Sequence, residues 1–219
     1  MSETVIRIRD DGRVLVESDS GGVKSFKQIT LDSLVKCMDK SRMRGALHTG
    51  LLPKHCISFS SYEDGSREAV LVHPQRSADI CYFGTAYKNF PLPRLVFGFR
   101  LTPQGRVASC RLGVVENTER LKPETKMYHY PLSNVKGFRL CTGNNPFPKC
   151  ESLHTLGSLP YYILSMPNNN DYFQASLNLQ GMEMRDLLEL LKDKESAFYY
   201  SDILIPNGAV LADFINERR

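Results

Sequence analysis

The chain has no tryptophan, no C-x-x-C pair, no long apolar run, no internal repeat and no low-complexity tract. Each absence removes a class of protein. Without paired spacing, the six cysteines (Cys37, Cys56, Cys81, Cys110, Cys141 and Cys150) read as free thiols and not as a disulfide framework or a zinc knuckle. No stretch approaches the roughly 18 to 20 apolar residues that a membrane span needs, so no membrane partner is expected. The first residues, M-S-E-T-V-I-R-I-R-D, lack the basic-then-apolar pattern of a secretory leader, and a cytoplasmic protein is expected. Nothing repeats at the 20 to 50 residue periods of solenoids and propellers. The formal charge of +4 is modest. Arg42, Arg44 and Lys54 cluster loosely, as do Arg100, Arg106 and Arg111, and they read as solvated basic faces before they read as a patch for an acidic surface. With no nucleic-acid motif and no tryptophan to stack on bases, nucleic acid is not an expected partner.

What remains is ordinary globular composition, 42% apolar and 24% charged over 219 residues, enough for one core with an extension. Residues 5–9 and 14–17 alternate apolar and polar about Asp10-Asp11-Gly12, a hairpin signal because Asp-Gly favours the positive φ of a tight turn. Gly21-Gly22 breaks the chain. Thr30 then reads as an N-cap ahead of Leu31, Leu34, Val35 and Met38, one apolar helical face ending near residues 42–45. A second hairpin is expected over residues 56–60 and 69–73, around Glu63-Asp64-Gly65. Short strands are expected at 79–83, 95–101, 106–115 and 127–130. A short helix is expected over 154–164, a polar loop at 166–171, and an amphipathic helix through Met184, Leu187, Leu188 and Leu191. The fold class is α+β: an antiparallel β-meander flanked by helices, with an extra N-terminal β-hairpin. Residues 1–50 form the hairpin-plus-helix extension, and residues 51–219 form the main domain.

Most local chemistry gathers in residues 123–150, P-E-T-K-M-Y-H-Y-P-L-S-N-V-K-G-F-R-L-C-T-G-N-N-P-F-P-K-C. Pro131 ends the strand before it, since proline has no N–H for a ladder. Ser133, Asn134 and Gly137 are turn formers, and T-G-N-N-P turns the chain again after Cys141. Cys141 is thus held between two turns, a place that presents a side chain. Four of the six cysteines lie in apolar or strand-like contexts and read as small core residues. Only Cys141 and Cys150 lie in turn-rich surroundings.

The order strand, proline, asparagine, then glycine shortly before cysteine resembles the active-site region of ubiquitin-conjugating enzymes. The closer resemblance is to the prokaryotic ubiquitin-conjugating-enzyme-like family D, also called the PRTRC system protein B family. Its P-x-L-V-F, P-x-T-x-x-Y-x-x-P-x-x-N-V and C-x-G-N patterns are matched at residues 93–97, 123–135 and 141–144. The resemblance covers roughly residues 90–180. It departs from the eukaryotic pattern in two places. Leu132 and Ser133 stand between Pro131 and Asn134, and Tyr130 precedes the proline with His129 one place further back.

The resemblance implies a ubiquitin-conjugating-enzyme-like fold and a bacterial acyltransferase with a cysteine thioester intermediate. Cys141 would accept a ubiquitin-like modifier and pass it to a target. The implied partners are a ubiquitin-like protein, an adenylating activating enzyme and a JAB-type isopeptidase, and the gene context is plasmid-associated or defence-type. No cofactor is implied. Asn134 would either support the oxyanion formed on attack or cap its own turn. His129 would orient Asn134, serve as a base or be structural. Asp171 would help deprotonate an incoming nucleophile or be a solvated loop acid. Two competing classes are weighed. His129, Cys141, Cys150 and His154 are zinc-ligand types, but C-x8-C-x3-H is not a standard finger, so no metal is expected. A non-catalytic module that only binds a ubiquitin-like protein would keep the fold and lack the cysteine.

Overall fold

The structure is a computed structural model and describes residues 2–42, 49–74 and 76–217. It divides into two compact units, Met1–His48 and Thr49–Arg219. No helix among the described residues is long and apolar enough to cross a membrane.

In the first unit, β1 (Ser2–Ile8) and β2 (Arg13–Ser20) form the expected hairpin. A third strand, β3 (Val23–Thr30), pairs antiparallel with β2, so the extension is a three-stranded sheet and not a hairpin alone. Its sequence hid this, because V-K-S-F-K-Q-I-T is exposed at nearly every position and lacks the alternation that marks a half-buried strand. Strand β3 runs straight into α1 (Leu31–Arg42). Thr30 caps that helix as its sequence suggests: the Ser33 N–H donates to Thr30 Oγ1 at 3.2 Å. The helix end expected at 42–45, and with it Arg44 and the side chain of Arg42, lies outside the described residues.

In the second unit, β4 (Cys56–Ser61) and β5 (Arg67–Val72) form the expected hairpin. Next come β6 (Ser77–Tyr82) and β7 (Thr85–Pro91), then β8 (Leu95–Leu101) and β9 (Val107–Val115). The order β4-β5-β8-β9 is antiparallel, and β6-β7 is set aside in a sheet of its own. The meander is therefore interrupted by an inserted hairpin. Strand β7 escapes a reading of alternation because Asn89, at φ 49°, bulges the ladder and leaves Tyr87 and Phe90, three apart, both buried. Three turns share one design: Arg9 to Arg13, Tyr62 to Ser66 and Thr102 to Arg106 are each closed by a backbone hydrogen bond over three residues ending in glycine. Those glycines have φ between 76° and 80°, the left-handed residue that a three-residue hairpin loop needs.

The far edge of β9 carries two partners. One is β10 (Lys126–Tyr128), opposite Val114 and Val115. The other is a small hairpin of β11 (Val135–Lys136) and β12 (Arg139–Leu140), opposite Arg111. After a short 3-10 segment come α2 (Leu159–Leu164) and the two-residue strand β13 (Pro167–Asn168), which pairs parallel with β6. Then follow α3 (Met184–Leu191), a π-helical turn (Tyr199–Ile203), β14 (Pro206–Val210) beside β10, and α4 (Leu211–Ile215).

Alternation along β8 builds two cores. Leu95, Phe97, Phe99 and Leu101 face the main core with Leu156, Ile163, Leu187 and Leu191 from the helical segments. Val96 faces the opposite side with Val70, Met127, Leu211 and Phe214. On that second side Glu68 and Arg111 form a buried ion pair across the sheet. The described residues thus form a mixed α+β protein with mostly antiparallel strands and few helices.

Candidate active site

Cys141 follows β12 and is half-buried. It lines a groove of about 530 Å³ whose other walls are the first residues of β9, Lys136, Arg139, Phe147 and Tyr172. A much smaller cavity beside it has an apolar wall that includes Leu112, Leu132 and Ile163 and a polar edge of Tyr130, Ser133, Asn134 and Asn168. The thiol therefore stands between an open groove and a polar seam.

Hydrogen bonds in series fix its position. The Cys141 N–H donates to the Asn134 carbonyl at 2.7 Å, and the Asn134 N–H donates to the Asp171 carbonyl at 2.7 Å. Asn134 has φ 67°, a left-handed conformation that asparagine tolerates better than most residues. Its side-chain amide lies 3.5 Å from Asn168 Oδ1, which also accepts the Ser133 hydroxyl at 3.2 Å. The Asn168 amide in turn donates to the Cys81 and Met166 carbonyls. Asn168 is thus the junction that holds the polar seam. Its place in N-N-N-D gave only a polar-loop signal.

The loop after Cys141 is tied at its far end and near its middle. The Cys150 N–H donates to the Gly105 carbonyl at 2.9 Å, and the Tyr162 hydroxyl donates to the Pro146 carbonyl at 3.0 Å. Gly105 is the close-approach glycine here: a Cβ on it would collide with the Cys150 carbonyl oxygen. Lys136 and Arg139 are exposed on the groove wall, which carries no carboxylate, so the local potential favours negative charge developing on a carbonyl bound in the groove. Lys136 Nζ also stands 6.0 Å from the Tyr172 ring centre, linking two walls of the groove. Sequence reasoning passed over both residues, since a lysine and a tyrosine some 36 positions apart carry no motif.

The structure brings Cys141, Asn134 and Asp171 together but leaves His129 apart. Asp171 acts through its carbonyl. Its carboxylate is exposed and turned onto the Asn169 amide at 2.8 Å. The His129 N–H donates to the Ile205 carbonyl, and Tyr130, not His129, lines the seam beside Cys141. Burial holds the His129 imidazole below its ordinary pKa. Cys150, in turn-rich surroundings by sequence, is 3% exposed, and burial raises its thiol pKa. Cys37, expected as a core residue, is exposed. His154 is exposed, and among the described residues no group of three metal-ligand side chains assembles.

The geometry is thus an asparagine-framed cysteine at the lip of a groove on an α+β sheet. A family model described as prokaryotic E2 family D matches residues 30–201, most of the chain and well beyond residues 90–180, and the chain belongs to that family. Membership carries a ubiquitin-conjugating-like role. No curated protein and no solved structure matches the chain.

Proposed function

We propose that this protein is a bacterial, cytoplasmic ubiquitin-conjugating-type acyltransferase with a ubiquitin-conjugating-like fold, and that Cys141 carries the acyl group. The supporting observation is the placement of Cys141, half-buried in the groove, with its main chain pinned to Asn134 and through it to Asp171. The Cys141 thiolate attacks the carbonyl carbon of a ubiquitin-like protein held as a thioester on an adenylating activating enzyme. A new C–S bond forms, the old one breaks, and the activating enzyme's thiolate leaves. An amine of the target then attacks the same carbon and gives up a proton, and Cys141 leaves as the thiolate. Both attacks build an oxyanion. The Asn134 amide lines the seam beside the sulfur and is the donor offered to it, while Lys136 and Arg139 supply the positive surroundings. A JAB-type isopeptidase would reverse the product.

The test is charging in vitro with the cognate activating enzyme, modifier and ATP. One modifier should attach to Cys141 through a bond that excess thiol cleaves. If the modifier binds tightly but no covalent adduct forms, the protein is a non-catalytic binding module of the same fold.

A further inference from the structure

Among the described residues, three buried side-chain nitrogen or oxygen atoms lack a hydrogen-bond partner: Nδ1 and Nε2 of His73, and Nη1 of Arg76. Both residues line one cavity of about 460 Å³. It lies where β5 ends, β8 begins and the chain leaves β9, with Arg94, Thr118 and Glu119 in its walls. The Cys141 groove takes the first residues of β9 and this cavity takes residues just past the last. The two therefore stand at opposite ends of the strand, on the order of 25 Å apart at the usual rise per residue.

The cavity is built and held. The His73 backbone N–H donates to the Leu95 carbonyl at 2.9 Å, and the ring, 1% exposed, meets Phe97 and Tyr161 edge-on. Arg76 Nη2 donates to Asn117 Oδ1 at 2.6 Å, and Arg94 Nη1 donates to the Thr118 carbonyl. Both guanidinium groups are thus fixed by neutral acceptors, and neither is in an ion pair among the described residues. Glu119, an exposed residue, is the single acid in the lining. The charges oppose each other: burial, and then the neighbouring Arg76, holds Arg94 below its ordinary pKa. Water would satisfy the unpaired nitrogens but would not balance two guanidinium groups. An oxyanion does balance them, because its oxygens accept from arginine forks. The space is also of the size that small-molecule sites occupy.

The geometry points to a second site here, independent of the transfer chemistry, that binds the phosphate group of a small phosphate ester through the Arg76 and Arg94 guanidinium groups. The experiment is a titration of the labelled full chain with inorganic phosphate, following the His73 ring and Arg76 side-chain signals by nuclear magnetic resonance. Potassium chloride at matched ionic strength is the control. Saturable shifts with phosphate, absent with chloride, are expected. Arg76→Gln and Arg94→Gln should each weaken binding by at least about tenfold, since each removes a hydrogen bond from a charged donor. If Arg94→Gln unfolds, Arg76→Gln decides. Glu119→Gln should tighten binding by removing the competing carboxylate, and charging at Cys141 should not change in Arg76→Gln. A chloride response equal to that of phosphate, or unchanged binding in Arg76→Gln, overturns the site. A sugar phosphate and AMP complete the series. Tighter binding of either than of inorganic phosphate supports an ester ligand, and equal or weaker binding of both overturns that part.

Discussion

The two ends of β9 are built on opposite plans. At its start, Cys141 sits in a chain of satisfied hydrogen bonds that begins at Asn134, seven positions back, and ends on the Asp171 carbonyl. Past its end, His73, Arg76, Arg94 and Asn117 converge from three separate segments and leave polar atoms unpaired. A pair of local turns with one long-range main-chain bond is enough to place a single side chain. Collecting several charged groups needs a sheet whose strands end together.

The largest effect should fall on the nucleophile. Cys141→Ala should abolish the thiol-sensitive adduct, while Cys150→Ser and Cys37→Ser charge as the parent does, the first being buried and the second belonging to the other unit. An adduct that survives in Cys141→Ala and disappears with Cys150→Ser would move the chemistry along the loop. Cys141→Ser should charge slowly, through an oxyester that resists thiol and yields to strong base.

Asn134 allows its two roles to be separated. Its backbone ties hold whatever the side chain, and its φ of 67° suits glycine. Asn134→Gly should therefore charge normally, yet discharge to an amine about 100-fold more slowly, the usual loss when an oxyanion donor is removed. Asn134→Ala should show the same slow discharge and also lose about 1 kcal/mol of stability, because alanine is strained in that conformation. Normal discharge in a stable Asn134→Gly protein would leave only the turn role.

At the other end, burial and then His55 hold the His73 pKa down from 6.5 to about 4. Between those values the unfolded chain is protonated at this position and the folded chain is not. The unfolded state then binds more protons, so stability falls as pH drops from 6.5 towards 4, by on the order of 3 kcal/mol for this group alone. Arg76, Arg94 and Glu119 line the cavity beside it and are unchanged in His73→Phe. Carboxylates titrate in the same window but cancel in a comparison with His73→Phe, which should show the shallower pH dependence in denaturant unfolding. Equal slopes would mean that His73 is solvated. The smallest effect is expected for Asp171→Asn, within a few-fold in discharge at every pH, because the residue works through its carbonyl. A large loss confined to low pH would restore its carboxylate to the chemistry.

The contrast also explains what the sequence could show. The short-range features were legible. The Asp-Gly hairpins, the Thr30 cap, the α3 stripe and the Cys141 segment each rest on residues within a few positions of one another. Strand β3 was not legible because it buries almost nothing, and β7 because Asn89 breaks its alternation. Asp171 and Asn134 could be paired only as loop neighbours, since their link is a main-chain hydrogen bond across 37 positions. The His73 cavity left no signal, because its residues share no spacing and meet only where strands end.

Gly105 sets a boundary that protein engineering can use. The loop running from Cys141 is moored at Cys150 to the β8–β9 turn, and Cys141 is moored separately to Asn134. Residues 142–149 therefore run between two fixed posts and are held once between them, where the Pro146 carbonyl accepts from the Tyr162 hydroxyl. Lengthening such a span costs little, about 0.6 kcal/mol for a doubling, and the added chain bulges outward without shifting the sulfur. The outer wall of the groove is thus an adjustable part, and libraries of longer or shorter spans can retune which surfaces dock there while the nucleophile stays in place.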